Sequence, residues 1–230
     1  MRRLNKKYKR ELNFWVDKWA KKLEKGWWSD DIKSLLNIHG DPGRFSCAQR
    51  RVQEARALFL RVFKETRIRN KAFFKYKVVV DIGPGPMGFL EASDAKIKIA
   101  IEPLAGEFRK HNLLLKKSDV IYLTTPAENI PLLDGSVDIV LSRNSLDHSS
   151  NPHEVAKEIV RILKRGGYFI LNVDINHPAM IAEPHRITQR MIEAMTKDFK
   201  LIRKMIYKKP HGWKGQMFIG LFRKAFSSLE

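Results

Sequence analysis

The chain is short of several things that would have named a function outright. Among 230 residues there is one cysteine, Cys47, which rules out an internal disulfide and any multi-cysteine metal site. No apolar run approaches the ~18 residues needed to span a bilayer. The opening MRRLNKKYKRELNFW has charge but neither an apolar run nor a cleavage site, so no signal peptide is expected. These absences predict a cytoplasmic protein, with attachment at a membrane surface left open. No internal repeat is visible. The histidines are scattered and lack ligand-like spacing with acids, so no metal is expected.

Acids are also scarce, with 25 Asp and Glu against 44 Lys and Arg, a net charge of +19. The deficit is uneven. Residues 1–77 hold 22 basic and 8 acidic residues, a net of +14, whereas residues 78–230 hold 22 and 17, a net of +5. An anionic partner and a solubilising charged face are equal readings of this first segment.

Against these absences, a regular pattern begins at Val78. Apolar, β-branched runs at 77–81, 97–102 (IKIAIE), 120–124 (VIYLT), 137–142 (VDIVLS) and 168–173 (YFILNV) read as buried parallel strands. Helical patterns separate them: one opening over 88–92, one over 105–115, and one over 152–163 with Asn151 as cap and Pro152 in its first turn. This alternation predicts an α/β fold, a doubly wound, mostly parallel seven-stranded sheet with helices on both faces. A helix at 188–199 and strands at 201–207 and 216–222 predict an antiparallel hairpin at the end. Residues 1–76 read as a separate basic helical extension. Leu4, Tyr8, Leu12, Trp15, Trp19 and Leu23 form one apolar stripe, and further helices are expected at 29–38 and 46–63. The domain boundary is therefore placed between residues 76 and 77.

The first strand runs into Val80-Asp81-Ile82-Gly83-Pro84-Gly85-Pro86-Met87-Gly88, a glycine turn of the kind that meets an anionic group at a helix start. Asp81 would repel the pyrophosphate of a dinucleotide, and two prolines remove donors that it would use. The amino-acid end of S-adenosylmethionine suits the same turn better: its ammonium meets an acid, and its carboxylate meets glycine N–H groups.

Four ordered stretches, VVVDIGPGPMG, IAIEPL, AENIPLLDGSVDIVLSRNSLDH and EIVRILKRGGYFILNV, resemble the class I S-adenosylmethionine-dependent methyltransferases of the type 11 group. The resemblance covers about two-thirds of the chain. It implies that Asp81, Gly83 and Gly85 contact the methionine portion and that Glu102 accepts from both ribose hydroxyls. Ala127 and Glu128, with Ile130 nearby, would flank the adenine, and Asn144 would lie near the sulfonium. Leu163-Lys164-Arg165-Gly166-Gly167 would be a structural turn into the fifth strand. The sequence departs from the family pattern at Met87, where the third glycine usually falls, and at Pro126, where an acid often meets the adenine amine.

If the acceptor is a hydroxyl, a base is needed. His148, assisted by Asp147, follows the fourth strand at the ligand-binding edge; bracing the next helix is the other role open to both. His177, His185 and Arg186 lie in a long loop after the fifth strand and are candidates for acceptor contact. The expected activity is O-methylation of a small-molecule, sugar or glycan acceptor, lipid-linked or free, with the extension covering the acceptor site. RNA methylation through the basic helices is the alternative, although no RNA-binding signature and no Asn/Asp-Pro-Pro-aromatic motif is present. A non-catalytic cofactor-binding scaffold is the third reading. Oligomeric state is not encoded in any motif.

Overall fold

The computed structural model describes residues 6–21, 47–70, 72–86, 88–181, 183–208 and 215–226. The expected helix at 29–38, and Met87, lie outside the described residues. Seven strands form one sheet in the order β3-β2-β1-β4-β5-β7-β6. They are β1 (Val78–Ile82), β2 (Ile97–Ile101), β3 (Ile121–Leu123), β4 (Val137–Arg143), β5 (Leu163–Ile175), β6 (Phe199–Lys208) and β7 (Gln216–Lys224). The first five are parallel, and β7 lies antiparallel between β5 and β6. Chain order reverses between β1 and β4, which opens a crevice at their carboxyl ends, the usual ligand site of such sheets.

Five α-helices are described: α1 (Lys6–Asn13), α2 (Cys47–Thr66), α3 (Ala105–Lys110), α4 (Pro152–Ile162) and α5 (Gln189–Met195). A π-helical stretch, Phe14–Ala20, continues α1. Alternation along the strands sorts the core into two faces. Val80, Ile82, Val140, Phe169 and Leu171 pack on one face with Val155, Ile159 and Ile162 of α4 and Ile192 of α5. Val79, Ile139, Leu141 and Ile170 pack on the other with Val62 of α2 and with Phe74, Phe89 and Leu90.

That second face departs from expectation. The predicted helix opening at 88–92 is only a 3-10 turn, Phe89–Ala92. Strand β2 begins at Ile97, which leaves no room for a longer helix. The space is filled by α2, whose Phe59 stacks on Phe89 at 6.0 Å and meets Phe63 edge-on at 5.0 Å. The later part of residues 1–76 thus shares a core with the sheet instead of standing apart from it.

Helix ends follow local chemistry. Asn151 caps α4, its side chain accepting from the N–H groups of His153 and Glu154. Thr188 caps α5 in the same way, accepting from Met191. Helix α3 stops at Lys110 instead of reaching Leu115. Asn112 turns left-handed (φ 54), Asn112 N–H bonds to Arg109 O at 3.1 Å and Leu113 N–H to Phe108 O at 2.8 Å, a complete Schellman closure. The run 163–167 is not a turn ahead of β5 but its first part. Pairing with β4 shifts register between Val137 and Ile139, and Gly166 sits at φ 70 in the resulting bulge.

Candidate active site

Two loops meet where β1 and β4 end side by side, with Ile82 paired to Ser142. Ser145 Oγ donates to Ile82 O at 2.6 Å and lies 2.9 Å from Ser142 Oγ. Gly83 turns back over this contact with φ 61, and a Cβ there would stand 2.6 Å from Ser145 Cβ. Both the backbone angle and the space require glycine. Gly85, at φ 70, lies under the Trp15 ring, which leaves 2.7 Å for a Cβ.

A cavity of about 490 Å³ opens above this junction, within the size range of small-ligand pockets. Gly83, Pro84 and Gly85 line it from β1, Glu102 from the end of β2, Ala127 and Glu128 from the loop after β3, and Arg143, Asn144 and His148 from β4 and its loop. Asn144 is held left-handed (φ 50), its N–H donating to Asn172 O at 2.6 Å.

Glu102 is buried, accepting at 3.0 Å from Gly85 N–H and at 2.9 Å from Leu104 N–H. Its carboxylate is fixed by the glycine turn while still facing the cavity. Burial pushes its pKa up to about 7, although those two amides pull it down. Glu128 braces the start of α4, accepting from the N–H groups of Ser150 and Asn151 at 2.5 and 3.0 Å.

Asp81 is placed differently from expectation. It is 2% exposed and lies beneath the glycine turn, off the cavity wall, with Oδ2 2.8 Å from where a Cβ on Gly88 would be. Burial pushes it to about 7, Arg143 pulling it down and Glu102 adding to the rise. Any influence on a ligand's ammonium acts through the turn.

The acceptor-side candidates divide. His148 lines the cavity, whereas Asp147, 2% exposed, lies behind it. Burial pushes Asp147 up to about 6, with His148 lowering it and Glu183 raising it. Burial acts to lower the His148 pKa, but the Glu11 hydrogen bond and the charges of Asp147, Glu11 and Glu183 outweigh it, so the net shift is upward. His177, His185 and Arg186 do not reach the cavity. His185 Nε2 sits 3.1 Å from Ser150 O, His177 Nδ1 lies 3.5 Å from Glu183 Oε2, and Arg186 is exposed. The loop residue that lines the cavity is Glu183.

Sequence reasoning expected the extension to cover the acceptor site but named none of its side chains there; they come from α1 and the π-helical stretch that continues it. Tyr8, Glu11, Phe14 and Trp15 all line the cavity. Glu11 Oε1 lies 2.9 Å from His148 Nδ1, and Lys7 Nζ donates to His148 O. Trp15 also packs edge-on against Phe108 at 6.3 Å, docking α1 on α3. A signal existed: Glu11 is the lone acid in residues 1–16, one turn from Tyr8 and Trp15.

The cavity wall carries four acids, Glu11, Glu102, Glu128 and Glu183, and three bases, Lys7, Arg10 and Arg143. A mixed wall of this kind suits a ligand that carries both a cationic and an anionic group. The buried Glu102 carboxylate, the strained glycine turn and the cavity's size fit S-adenosylmethionine: Glu102 would hold the ribose and the Gly83–Gly85 turn the amino-acid end.

Residues 80–171 match the family described as "Methyltransferase domain". An uncharacterized methyltransferase of Mycobacterium avium is 28% identical over 101 residues, covering 43% of this chain and 40% of the relative. One from Mycobacteroides abscessus is 32% identical over 104 residues, with the same coverage of 43% and 40%. The chain thus spans about two-fifths of the length of the curated relatives it matches. The structure of an S-adenosylmethionine-dependent methyltransferase from Mesorhizobium loti superposes with a TM-score of 0.54 at 12% identity, over 66% of this chain and 92% of that one, a likeness of fold. Strand order, glycine turn and matched segment agree: residues 80–171 are similar to the methyltransferase domain, on a sheet with the fold of the S-adenosylmethionine-dependent methyltransferases.

Proposed function

We propose that this protein methylates a hydroxyl of a small molecule, sugar or glycan, free or lipid-linked. The observation that carries the reading is the shape of the cavity. The Gly83–Gly85 turn and Glu102 line it together with Tyr8, Glu11 and His148. A pocket of about 490 Å³ suits a compact acceptor better than a polynucleotide.

When bound, S-adenosylmethionine supplies a methyl group on a sulfonium, already activated for displacement. The chain's residues have to hold and align. Glu102 accepts from ribose hydroxyls while its amide partners keep it in place. The buried Glu102 carboxylate beside the glycine turn favours a cation over a dinucleotide's pyrophosphate. Holding the acceptor oxygen in line with the methyl group contributes roughly 7–11 kcal/mol to lowering the barrier. The acceptor's proton leaves on the side where Glu11, His148 and Glu183 gather.

Calorimetry with S-adenosylmethionine is the direct test. The wild-type chain binds it, and Glu102→Ala weakens binding by about 1.5–3 kcal/mol, the range for a hydrogen bond to a charged group. Binding of NADH in its place sinks the reading. Radiolabelled methyl transfer to a panel of sugars, and to bulk RNA, then sorts the acceptor class, and incorporation into RNA alone overturns the hydroxyl-pocket assignment.

A further inference from the structure

At the acceptor end of the cavity three side chains from two loops converge. Asp147 and His148 come from the 3-10 turn Leu146–His148 after β4, and Glu183 from the segment after β5. One oxygen of each acid and one ring nitrogen of His148 lie within 4.8 Å of one another.

Two observations separate this group from an ordinary ion pair. The first is unsatisfied oxygen. Asp147 is 2% exposed, and its Oδ1 has no hydrogen-bond partner. Glu183 Oε2 is also buried without a hydrogen bond, His177 Nδ1 standing off at 3.5 Å. A buried carboxylate oxygen left this way is costly and calls for an occupant. The second is the tether on His148. Its Nδ1 lies 2.9 Å from Glu11 Oε1, and a carboxylate only accepts, so the Nδ1 proton points to Glu11. Nε2 is then the ring nitrogen turned toward Glu183, whose Oε1 is 3.7 Å away, too far for a hydrogen bond. A carboxylate on one ring nitrogen and lone pairs facing the other is the arrangement by which proteins orient a metal-binding imidazole.

We propose that Asp147, His148 and Glu183 bind a divalent cation, with Glu11 as the positioning residue for His148. Two carboxylates and one imidazole form a predominantly hard donor set, which suits Mn²⁺ or Mg²⁺ better than a thiophilic metal. The ion's charge balances the two acids. Glu183 and His148 also line the cavity, so the ion's open positions face the acceptor. This role rests on the methyl-transfer reading. A hydroxyl held by the cation loses its proton to water more readily. Its oxygen then forms the bond to the methyl carbon, and the electron pair of the broken carbon–sulfur bond stays on sulfur.

The test uses the full chain, stripped with a chelator and titrated with Mn²⁺ while the free ion is followed by electron paramagnetic resonance. No cofactor or acceptor is present. One ion per chain is expected, displaced by excess Mg²⁺. Asp147→Asn and Glu183→Gln should each abolish binding over the same range, and Glu11→Gln should weaken it about tenfold. Far-UV circular dichroism of each variant shows that the fold survives; Glu183, in a loop, serves as the second variant if Asp147→Asn does not fold. Ion binding unchanged in both ligand variants overturns the proposal. So does a wild-type chain that takes no Mn²⁺ and whose His148 gives the ¹⁵N shifts of an imidazolium, since a proton then occupies the cluster. Ion binding without cofactor binding overturns the methyl-transfer reading instead and leaves the site standing.

Discussion

Asp81 and Glu102 are both buried, and burial raises each to about 7. A cationic cofactor favours the ionised form of both, so its binding must release protons when they begin protonated. Affinity for S-adenosylmethionine is therefore expected to rise with pH through about 7, by at most about tenfold per pH unit for each proton released. Without cofactor the sign reverses for stability. A carboxyl whose folded pKa exceeds its unfolded one takes up a proton on folding, so this contribution is present at low pH and lost as pH climbs from about 4 toward 7. Calorimetry in buffers of different ionisation enthalpy counts the protons, and thermal melts with and without cofactor give the second slope. Asp81→Asn should flatten both. An affinity that is constant across neutral pH would mean that these carboxyls are already ionised in the empty site. At this scale the sequence was a partial guide. Glu102 and Gly83 stand out from their motif and lie on the cavity wall, whereas Asp81 shares the motif but points to the opposite face of the strand, beneath the turn. Strand alternation, not the motif, decides which neighbour faces the ligand.

Elements show where local and tertiary signals compete. The strands of the parallel sheet were legible because full burial demands continuous apolar runs, as in Val78–Ile82 and Val137–Arg143. Helix α4 was legible from its asparagine cap and the proline after it. Helix α3 was not: the apolar run Leu113-Leu114-Leu115 continues a helical pattern, yet Asn112 ends it. The tertiary fold supplies the reason. Arg51 of α2 donates through Nη1 to the carbonyls of Asn112 and Leu113, both at 3.0 Å, and Leu113 closes back onto the α3 cluster. A left-handed residue at that point favours glycine. Asn112→Gly is expected to raise stability by a few tenths to about 1 kcal/mol, and Asn112→Val to lower it by about 1–2 kcal/mol. Urea unfolding of the two variants measures the pair, and a valine variant as stable as wild type would show that the Schellman closure is not what ends the helix. Helix α1 was legible as a stripe, and a cover over the acceptor site was expected of the extension, but which of its side chains reach the cavity was not. A stripe announces burial without naming its partner, here Phe108, Leu104 and Gly85.

On the scale of the whole molecule, the basic excess lies early in the chain, +14 of the +19 falling in residues 1–77. The cavity wall is mixed, carrying Glu11, Glu102, Glu128 and Glu183 with Lys7, Arg10 and Arg143, and only Glu102 of these acids is buried. Exposed and buried charges should respond differently to salt. At roughly physiological ionic strength the Debye length is about 8 Å, so exposed charges lose their hold on a partner while buried ones keep theirs. None of the helices among the described residues is long and apolar enough to cross a membrane; exposed Lys and Arg are the groups that contact with an anionic surface would use. Lys9 and Arg10 are exposed on α1, and Arg10 also lines the cavity, so the basic face to be tested for polyanion binding adjoins it. Association with bulk RNA or with phosphatidylserine vesicles is expected to fall by orders of magnitude between low and physiological salt. S-adenosylmethionine affinity should change by no more than about twofold over the same interval, because Glu102, the carboxylate that would hold it, is buried. Parallel titrations at two ionic strengths measure both. If cofactor affinity falls as steeply as polyanion association, Glu102 is reached by solvent and the separation of exposed from buried charge fails. If neither polyanion binds even at low salt, the positive surface acts only to keep the chain soluble, and acceptor recognition rests on the cavity alone.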